Sequence, residues 1–271
     1  SLIGNESQYI NDCMESTWIS SKGRYIDKFE NEFRDYLNID YATTVSNGTV
    51  ALHLALIGLD IGPGDEVIVP TFTYIASVNA ILYVGAKPVF VDSDIDNWNI
   101  DIDKIEKKIT NKTKALMAVH LYGACCNMEK INSLCKKNKL FLIEDAAEGF
   151  GSMCNNNYAG SFGDFSTFSF FGNKTITTGE GGMVVSNSEK LINKVKYLKN
   201  QSISPNKEYW HEHIGYNYRM TNLCAAIGLA QLERADEIID KKRKIAKWYK
   251  EQLNDFDIVF QSEEVNTKHS Y

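Results

Sequence analysis

Short apolar runs alternate with longer stretches of mixed character along the middle of the chain. Glu66-Val67-Ile68-Val69-Pro70, Pro88-Val89-Phe90-Val91-Asp92, Ala115-Leu116-Met117-Ala118-Val119-His120 and Leu140-Phe141-Leu142-Ile143-Glu144-Asp145 have strand length, and several are rich in β-branched residues. Between them, Thr73 to Tyr83 and Met128 to Lys137 have the length and period of helices. Strand alternating with helix predicts an α/β fold with a parallel sheet covered on both faces and ligands at the carboxyl ends of the strands. Asp145 stands at such an end. Gly62-Pro63-Gly64-Asp65 punctuates the chain before a strand. From about Arg219 to Leu253 the pattern predicts a long amphipathic helix with Leu229, Leu232, Ile238 and Ile239 on its apolar side, and Phe256 to Phe260 then predicts the start of a further strand. There is no internal repeat, low-complexity segment or linker between two complete domains.

Composition narrows the class of function. With 271 residues, 44% of them hydrophobic and 24% charged, the chain has the make-up of an ordinary globular protein with a well-buried core. A formal charge of −6 leaves no footprint for nucleic acid, and the one basic run, Lys241-Lys242-Arg243-Lys244, reads as a solvated helix face. Six cysteines show neither paired CxxC spacing nor the density of a disulfide scaffold, which suits free thiols in a reducing compartment. No apolar run has the length to span a bilayer, and Ser1 to Glu6 do not open as a leader peptide does, so a cytoplasmic protein without a membrane partner is expected. His53 and His120 belong to no metal-ligand spacing, so no metal site is expected and both are read as core or supporting residues.

Four segments carry candidate chemistry. Lys174 is flanked by small, polar and glycine residues from Ser169 to Gly182, a setting in which a primary amine can be made nucleophilic and condense with an aldehyde. Val45-Ser46-Asn47-Gly48-Thr49 precedes a helical apolar pattern. The free N–H groups there can cradle a phosphate, although a plain cap by Asn47 or Thr49 explains the segment better when it is taken alone. Asp145 can pair with a protonated ring nitrogen or cap a helix, with nothing in the segment to choose between them. Pro70-Thr71-Phe72-Thr73-Tyr74 offers an aromatic that could stack on a flat heterocycle, though such aromatics are more often core. Ser169, five residues before Lys174, could hold phosphate while the amine reaches an aldehyde carbon. Together these supply what pyridoxal 5′-phosphate requires.

The same segments, with Glu144-Asp-Ala-Ala-Glu148, Phe168-Ser-Phe-Phe-Gly-Asn-Lys174, Gly179-Glu-Gly-Gly182 and Gly215-Tyr-Asn-Tyr-Arg-Met220, resemble the nucleotide-sugar aminotransferases of the DegT/DnrJ/EryC1/StrS group along the whole chain. The resemblance implies the fold-type I, aspartate aminotransferase-like architecture. Residues 1–240 would form a large domain around a central, mostly parallel seven-stranded sheet, and 241–271 would begin a smaller C-terminal domain that is largely missing here. It also implies a role for each position. Lys174 would bond the cofactor's aldehyde and shuttle protons, and Asp145 would keep the pyridine nitrogen protonated. Tyr74 would stack on the ring, Gly48, Thr49 and Ser169 would bind the phosphate, and Glu148 would lie near the phenolic oxygen. Asn217 would reach the phosphate in a neighbouring subunit, making the active unit a homodimer with shared sites. The implied reaction takes an amino group from L-glutamate, through pyridoxamine 5′-phosphate, to C4 of a nucleotide-linked 4-keto-6-deoxy sugar. Relatives that dehydrate such sugars carry histidine where this chain has Lys174. The readings that remain beside amino transfer to one nucleotide sugar are transfer to another, dehydration, and a truncated fragment that folds without turnover.

Overall fold

Strands buried at every position are what a sheet between two helical layers requires, and Glu66–Pro70 and Gly182–Ser186 are buried throughout. The computed structural model describes residues 2–207 and 209–271; Ser1, which begins the opening segment, and Glu208 lie outside the described residues. Two helices come first, α1 (Glu6–Glu15) and α2 (Arg24–Leu37). There follow β1 (Tyr41–Val45), α3 (Gly48–Gly58), β2 (Glu66–Pro70), α4 (Ile75–Tyr83), β3 (Lys87–Val91), the single turn α5 (Ile102–Ile105), β4 (Thr113–Val119), α6 (Met128–Asn138) and β5 (Phe141–Asp145). The second half holds β6 (Met153–Cys154), β7 (Asn157–Tyr158), β8 (Phe165–Ser169), β9 (Gly182–Ser186), α7 (Glu189–Lys199), α8 (Asn222–Leu232), α9 (Ala235–Gln252) and β10 (Thr267–Lys268).

Among the described residues the main sheet has seven strands in the order β1-β9-β8-β5-β4-β2-β3, with β9 antiparallel to its two neighbours and the other pairings parallel. The two-residue period of a strand divides its side chains between two cores. Val67, Val69, Met117, Ile143, Phe165 and Val184 pack with α3, α4 and α7, whereas Ile68, Leu116, Ala118 and Leu142 pack with Met128 and Ile131 of α6. At the β8 and β9 end the second face is closed by α2 and α8. There Phe33 stacks on Phe150 at 5.6 Å between ring centroids and meets Phe168 and Phe170 edge-on at 5.0 and 5.5 Å. These rings fix the part of the chain that leads into Lys174.

Two expectations are corrected. The helix expected from 219 to 253 is two helices that break at Glu233 and Arg234. The side chain of Glu233 is drawn off to Asn5 and Tyr9 at 2.7 and 2.5 Å, and α8 is not amphipathic, because it is wedged against both α1 and α2. Gly228 is what lets α2 approach, since a Cβ there would lie 2.6 Å from the Phe29 ring. The strand expected over 256–260 does not form. Phe256, Ile258 and Val259 are exposed, and no strand among the described residues lies beside them to complete a ladder. The chain instead pairs later, where β10 joins β6 and β7 in a small separate sheet.

Candidate active site

Four strand ends meet along one edge of the sheet. Val45 and Ser169 both pair with Gly182, and Asp145 pairs with Val119 on one side and Thr167 on the other. Gly182 leaves no space for a side chain, because a Cβ would lie 2.7 Å from the Asn47 carbonyl and 2.8 Å from the Phe168 oxygen. The turn after β1 therefore lies directly against the end of β8.

At that turn Asn47, rather than Thr49, caps α3: its Oδ1 accepts the Val50 N–H at 3.0 Å and its carbonyl the Ala51 N–H at 3.2 Å. The amides of Gly48 and Thr49 keep no acceptor among the described residues. They point out of the N-terminus of an eleven-residue helix, whose dipole favours an anion. Gly48 stands so close to Ser169 that a Cβ would fall 2.8 Å from the serine Cβ and 3.2 Å from its Oγ, which sets the serine hydroxyl beside the start of α3. Capping and anion binding are thus compatible here, since they use different N–H groups.

Asp145 is buried at the end of β5, and its Oδ2 accepts the Ser77 hydroxyl at 2.7 Å while Oδ1 accepts the Ala147 N–H at 3.2 Å. Ser77 is itself held by Thr73 at 2.9 Å. No helix follows Asp145, so it is not a helix cap. Burial raises its pKa above the usual carboxylate value, opposed by the donors Ser77 and Ala147 and by the charge of Lys174. A buried carboxylate with few donors is poised for a cationic partner in the site.

Lys174 is delivered by a tight turn. Its N–H donates to the Phe171 carbonyl at 2.9 Å, while Phe170, buried among Phe29 and Phe33, bonds through its own backbone to Gly181 and Thr178 at 2.8 and 2.9 Å. The side chain is 19% exposed and its amine lies 3.2 Å from Oε1 of Glu148, whose other oxygen accepts the Tyr122 N–H at 2.8 Å. Tyr122 itself has φ +54°, a left-handed conformation that a tyrosine rarely adopts. Phe72, Trp98 and Tyr122 form an edge-to-face aromatic rim, at 6.1 and 6.3 Å between centroids. Tyr74 at the start of α4 is 74% exposed, so it is not core.

Asn217 stands apart from this group. It is exposed, its Oδ1 accepts from the Arg219 guanidinium at 3.0 and 3.2 Å, and it forms a β-bridge with Asn200. No contact joins it to Lys174 or Asp145 among the described residues. His53 rests against Tyr216 and Tyr218 with its pKa lowered by burial, and no group of three or more metal-binding side chains occurs among the described residues.

Sequence reasoning missed the partners of the site. Ser77, Thr73, Tyr122 and Lys242 all support it, and only the helical spacing from Thr73 to Ser77, beneath the β2 end, offered any signal. Lys242 corrects the solvated reading of the basic run: it donates to the Thr175 hydroxyl at 2.9 Å and lies half-buried beside Glu148, while Lys241 stays exposed. The donor set fits pyridoxal phosphate. The unbonded Gly48 and Thr49 amides beside the Ser169 hydroxyl suit a phosphate, Asp145 suits a cationic ring nitrogen, and Lys174 suits an aldehyde.

Comparisons with known proteins agree with this fit. The DegT/DnrJ/EryC1/StrS aminotransferase family matches residues 1–271. A GDP-perosamine synthase of Escherichia coli O157:H7 is 63% identical over 254 residues, which cover 94% of this chain and 70% of that protein. A GDP-perosamine synthase of Vibrio cholerae is 56% identical over 271 residues, covering 100% of this chain and 74% of that protein. The aminotransferase from Psychrobacter cryohalolentis superposes with a TM-score of 0.94 at 34% identity, over 100% of this chain and 74% of that one. Among the described residues no helix is long and apolar enough to cross a membrane.

Proposed function

Because the chain belongs to the DegT/DnrJ/EryC1/StrS aminotransferase family, we propose that it moves an amino group from L-glutamate to C4 of GDP-4-keto-6-deoxy-D-mannose, giving GDP-perosamine. The observation that carries this reading is that Asp145 and the closely apposed Gly48 and Ser169 stand at neighbouring strand ends, with Lys174 on the turn that follows Ser169 and its charge felt by Asp145. Pyridoxal 5′-phosphate, when bound, supplies an electron sink for the negative charge that develops beside the migrating nitrogen. Asp145 would hold a proton on the ring nitrogen, and the Gly48 and Thr49 amides with the Ser169 hydroxyl would hold the phosphate. Tyr74 would cover the ring, and Glu148 would sit by the phenolic oxygen. Lys174 would bond the aldehyde and, once displaced by the donor, carry the proton between the two carbons. Asn217, exposed and turned to its own Arg219, would serve the phosphate of a second copy, so a homodimer would be the working unit. In this reading residues 1–240 bind the cofactor and 241–271 begin the smaller domain, with α9 running across that boundary.

Incubation with glutamate and GDP-, dTDP- or UDP-linked 4-keto-6-deoxy sugars, followed by mass analysis of the products, tests the assignment. An amino sugar formed on the GDP substrate and only with glutamate is expected. Amination confined to dTDP or UDP substrates would move the nucleotide, and loss of water without a donor would replace transfer by dehydration. A bound cofactor without product would mean that this chain folds but does not turn over.

Ser77 gives a second test. Its hydroxyl favours the ionised form of Asp145, and a hydrogen bond to a charged group contributes about 1.5 kcal/mol or more, so Ser77→Ala should raise the pyridoxal phosphate concentration for half-saturation about tenfold. Titration of the visible absorption band checks it. An unchanged midpoint would remove Ser77 from the support of the ring nitrogen.

A further inference from the structure

Two rings of the aromatic rim sit on strained backbone. Trp98 has φ +63° and Tyr122 φ +54°, left-handed conformations that bulky residues hold only where surrounding bonds impose them. One side chain reaches both. Gln261 is buried, and its Nε2 donates to the Asn97 carbonyl at 2.6 Å and to the Leu121 carbonyl at 3.0 Å, the peptide groups immediately before Trp98 and Tyr122. Its Oε1 meets Nε2 of His269 at 3.0 Å. Because Nδ1 of His269 accepts the Tyr271 N–H at 2.9 Å, the ring proton sits on Nε2 and is donated to Gln261. Turning the Gln261 amide over would set its oxygen against two carbonyls, so only this orientation bonds all three partners.

The rest of the closing segment follows the same course. The Ser262 N–H donates to the Asp96 carbonyl at 2.9 Å, the Asn97 side-chain amide to Glu264 at 2.6 Å, and the Ser270 N–H to the Gly123 carbonyl at 3.2 Å. The Leu121–Tyr122 peptide has a second anchor on the side of the site. Its N–H donates to Glu148 at 2.8 Å, and Glu148 lies 3.2 Å from the Lys174 amine. The rim is therefore held between Gln261 and the group beside Lys174. Phe72 and Tyr122 are 47% and 49% exposed, which leaves their rings open to a ligand.

We propose that Gln261 is a positioning residue for the nucleotide-sugar substrate: it clamps the peptides before Trp98 and Tyr122 and so sets the aromatic rim on which that substrate rests. A nucleotide base and the C–H face of a hexose are flat, apolar surfaces that pack on aromatic rings, and L-glutamate has neither. The clamp thus serves one of the two substrates that share the site. The inference rests on the proposed function for the identity of that substrate, but the placing of Trp98 is measurable without it.

The experiment is steady-state kinetics with each substrate varied in turn, using the nucleotide sugar that the wild type aminates. Gln261→Met keeps the size of the side chain and removes its amide. It should raise the KM for the nucleotide sugar roughly fivefold to tenfold, since each bond to a carbonyl is worth up to about tenfold. The KM for glutamate should stay within about twofold. Trp98→Ala should give the same split, and Gln261→Met added to it should cost less than in the wild type, because both act through one ring. In the cofactor-free protein, acrylamide quenching of Trp98, taken as the difference between each protein and its Trp98→Phe counterpart, should increase in Gln261→Met. An unchanged KM for the nucleotide sugar in Gln261→Met would overturn the proposal, and so would an equal rise in both KM values, which marks a general loosening. Should Gln261→Met not fold, Gln261→Asn, too short to reach both carbonyls, is read in the same way, and an unchanged sugar KM in Trp98→Ala is equally fatal. A wild type that aminates no nucleotide sugar would sink the proposed function, whereas unchanged Trp98 quenching in Gln261→Met would remove the clamp alone, so the two failures are distinguishable.

Discussion

Lys174→Ala should abolish the visible band that forms with pyridoxal phosphate and lower amino transfer by roughly 10³-fold or more, because the same amine would bond the aldehyde and carry the proton. Stability should barely change. The Lys174–Glu148 pair, with side chains 19% and 30% exposed, is partly solvated, and such pairs contribute about 1 kcal/mol or less. The Lys174 turn is fixed by its backbone bond to Phe171 and by Phe170 in the aromatic core, neither of which needs the lysine side chain. Lys174→Arg separates charge from chemistry. The guanidinium can keep the ion pair with Glu148 but cannot become a neutral amine, so it should retain the thermal midpoint and lack the band. Absorption spectra, turnover and thermal unfolding of both variants check this. A band of wild-type intensity in Lys174→Ala would place the aldehyde on another residue and dissolve the proposed function.

The position of this site in the chain was readable because its residues follow strand ends, and strand ends are marked by β-branched runs that stop at polar residues. The strand runs ending at Pro70, at His120 and at Asp145 are legible that way, and the structure ends the second one residue earlier, at Val119. Strands β8 and β9 are not legible, since Phe165–Ser169 reads polar and aromatic, and its burial comes from helices distant in sequence. The partners of the site were hidden for a similar reason. Lys242 sits in a run of four basic residues, and which of the four turns inward depends on where α9 crosses the Thr175 turn, a tertiary fact. The break at Glu233 was equally silent, because it depends on Asn5 and Tyr9 at the other end of the chain. Glu144 and Asp145 show the limit most clearly. Two adjacent carboxylates at one strand end are alike in sequence, and only the alternation of the strand sends Asp145 towards Ser77 and the site and Glu144 to the opposite face.

That opposite face carries the largest stability effect expected. Glu144 is 0% exposed, and its Oε1 accepts from the N–H groups of Phe162 and Gly163 at 2.7 Å and the Ser166 hydroxyl at 2.9 Å. Its Oε2 accepts the Gly160 N–H at 2.8 Å and meets Nε2 of His120 at 2.9 Å. Because Nδ1 of His120 accepts the Cys126 N–H at 3.1 Å, the ring proton must sit on Nε2 and be donated to Glu144. Burial opposes the charge of Glu144, and these donors more than offset it, so its pKa lies below the usual carboxylate value. Glu144→Ala strands five donors, those of Gly160, Ser166 and His120 fully buried, and should cost about 3–5 kcal/mol, while Glu144→Gln, which keeps one acceptor oxygen, should cost less. The sign with pH follows. A depressed folded-state pKa stabilises the fold above the unfolded carboxylate value, and that contribution is lost as pH falls through the folded one, so the gap between wild type and Glu144→Gln should narrow on acidification. Urea unfolding of the three proteins near neutral pH and in acid measures it, and a gap that widens in acid would contradict the assigned charge. The consequence reaches the chemistry, because residues 160–163 lead straight into β8. Through Gly160, Phe162, Gly163 and Ser166, Glu144 ties down the segment that enters the strand ending in Ser169, so it supports the Lys174 turn from the face opposite Asp145.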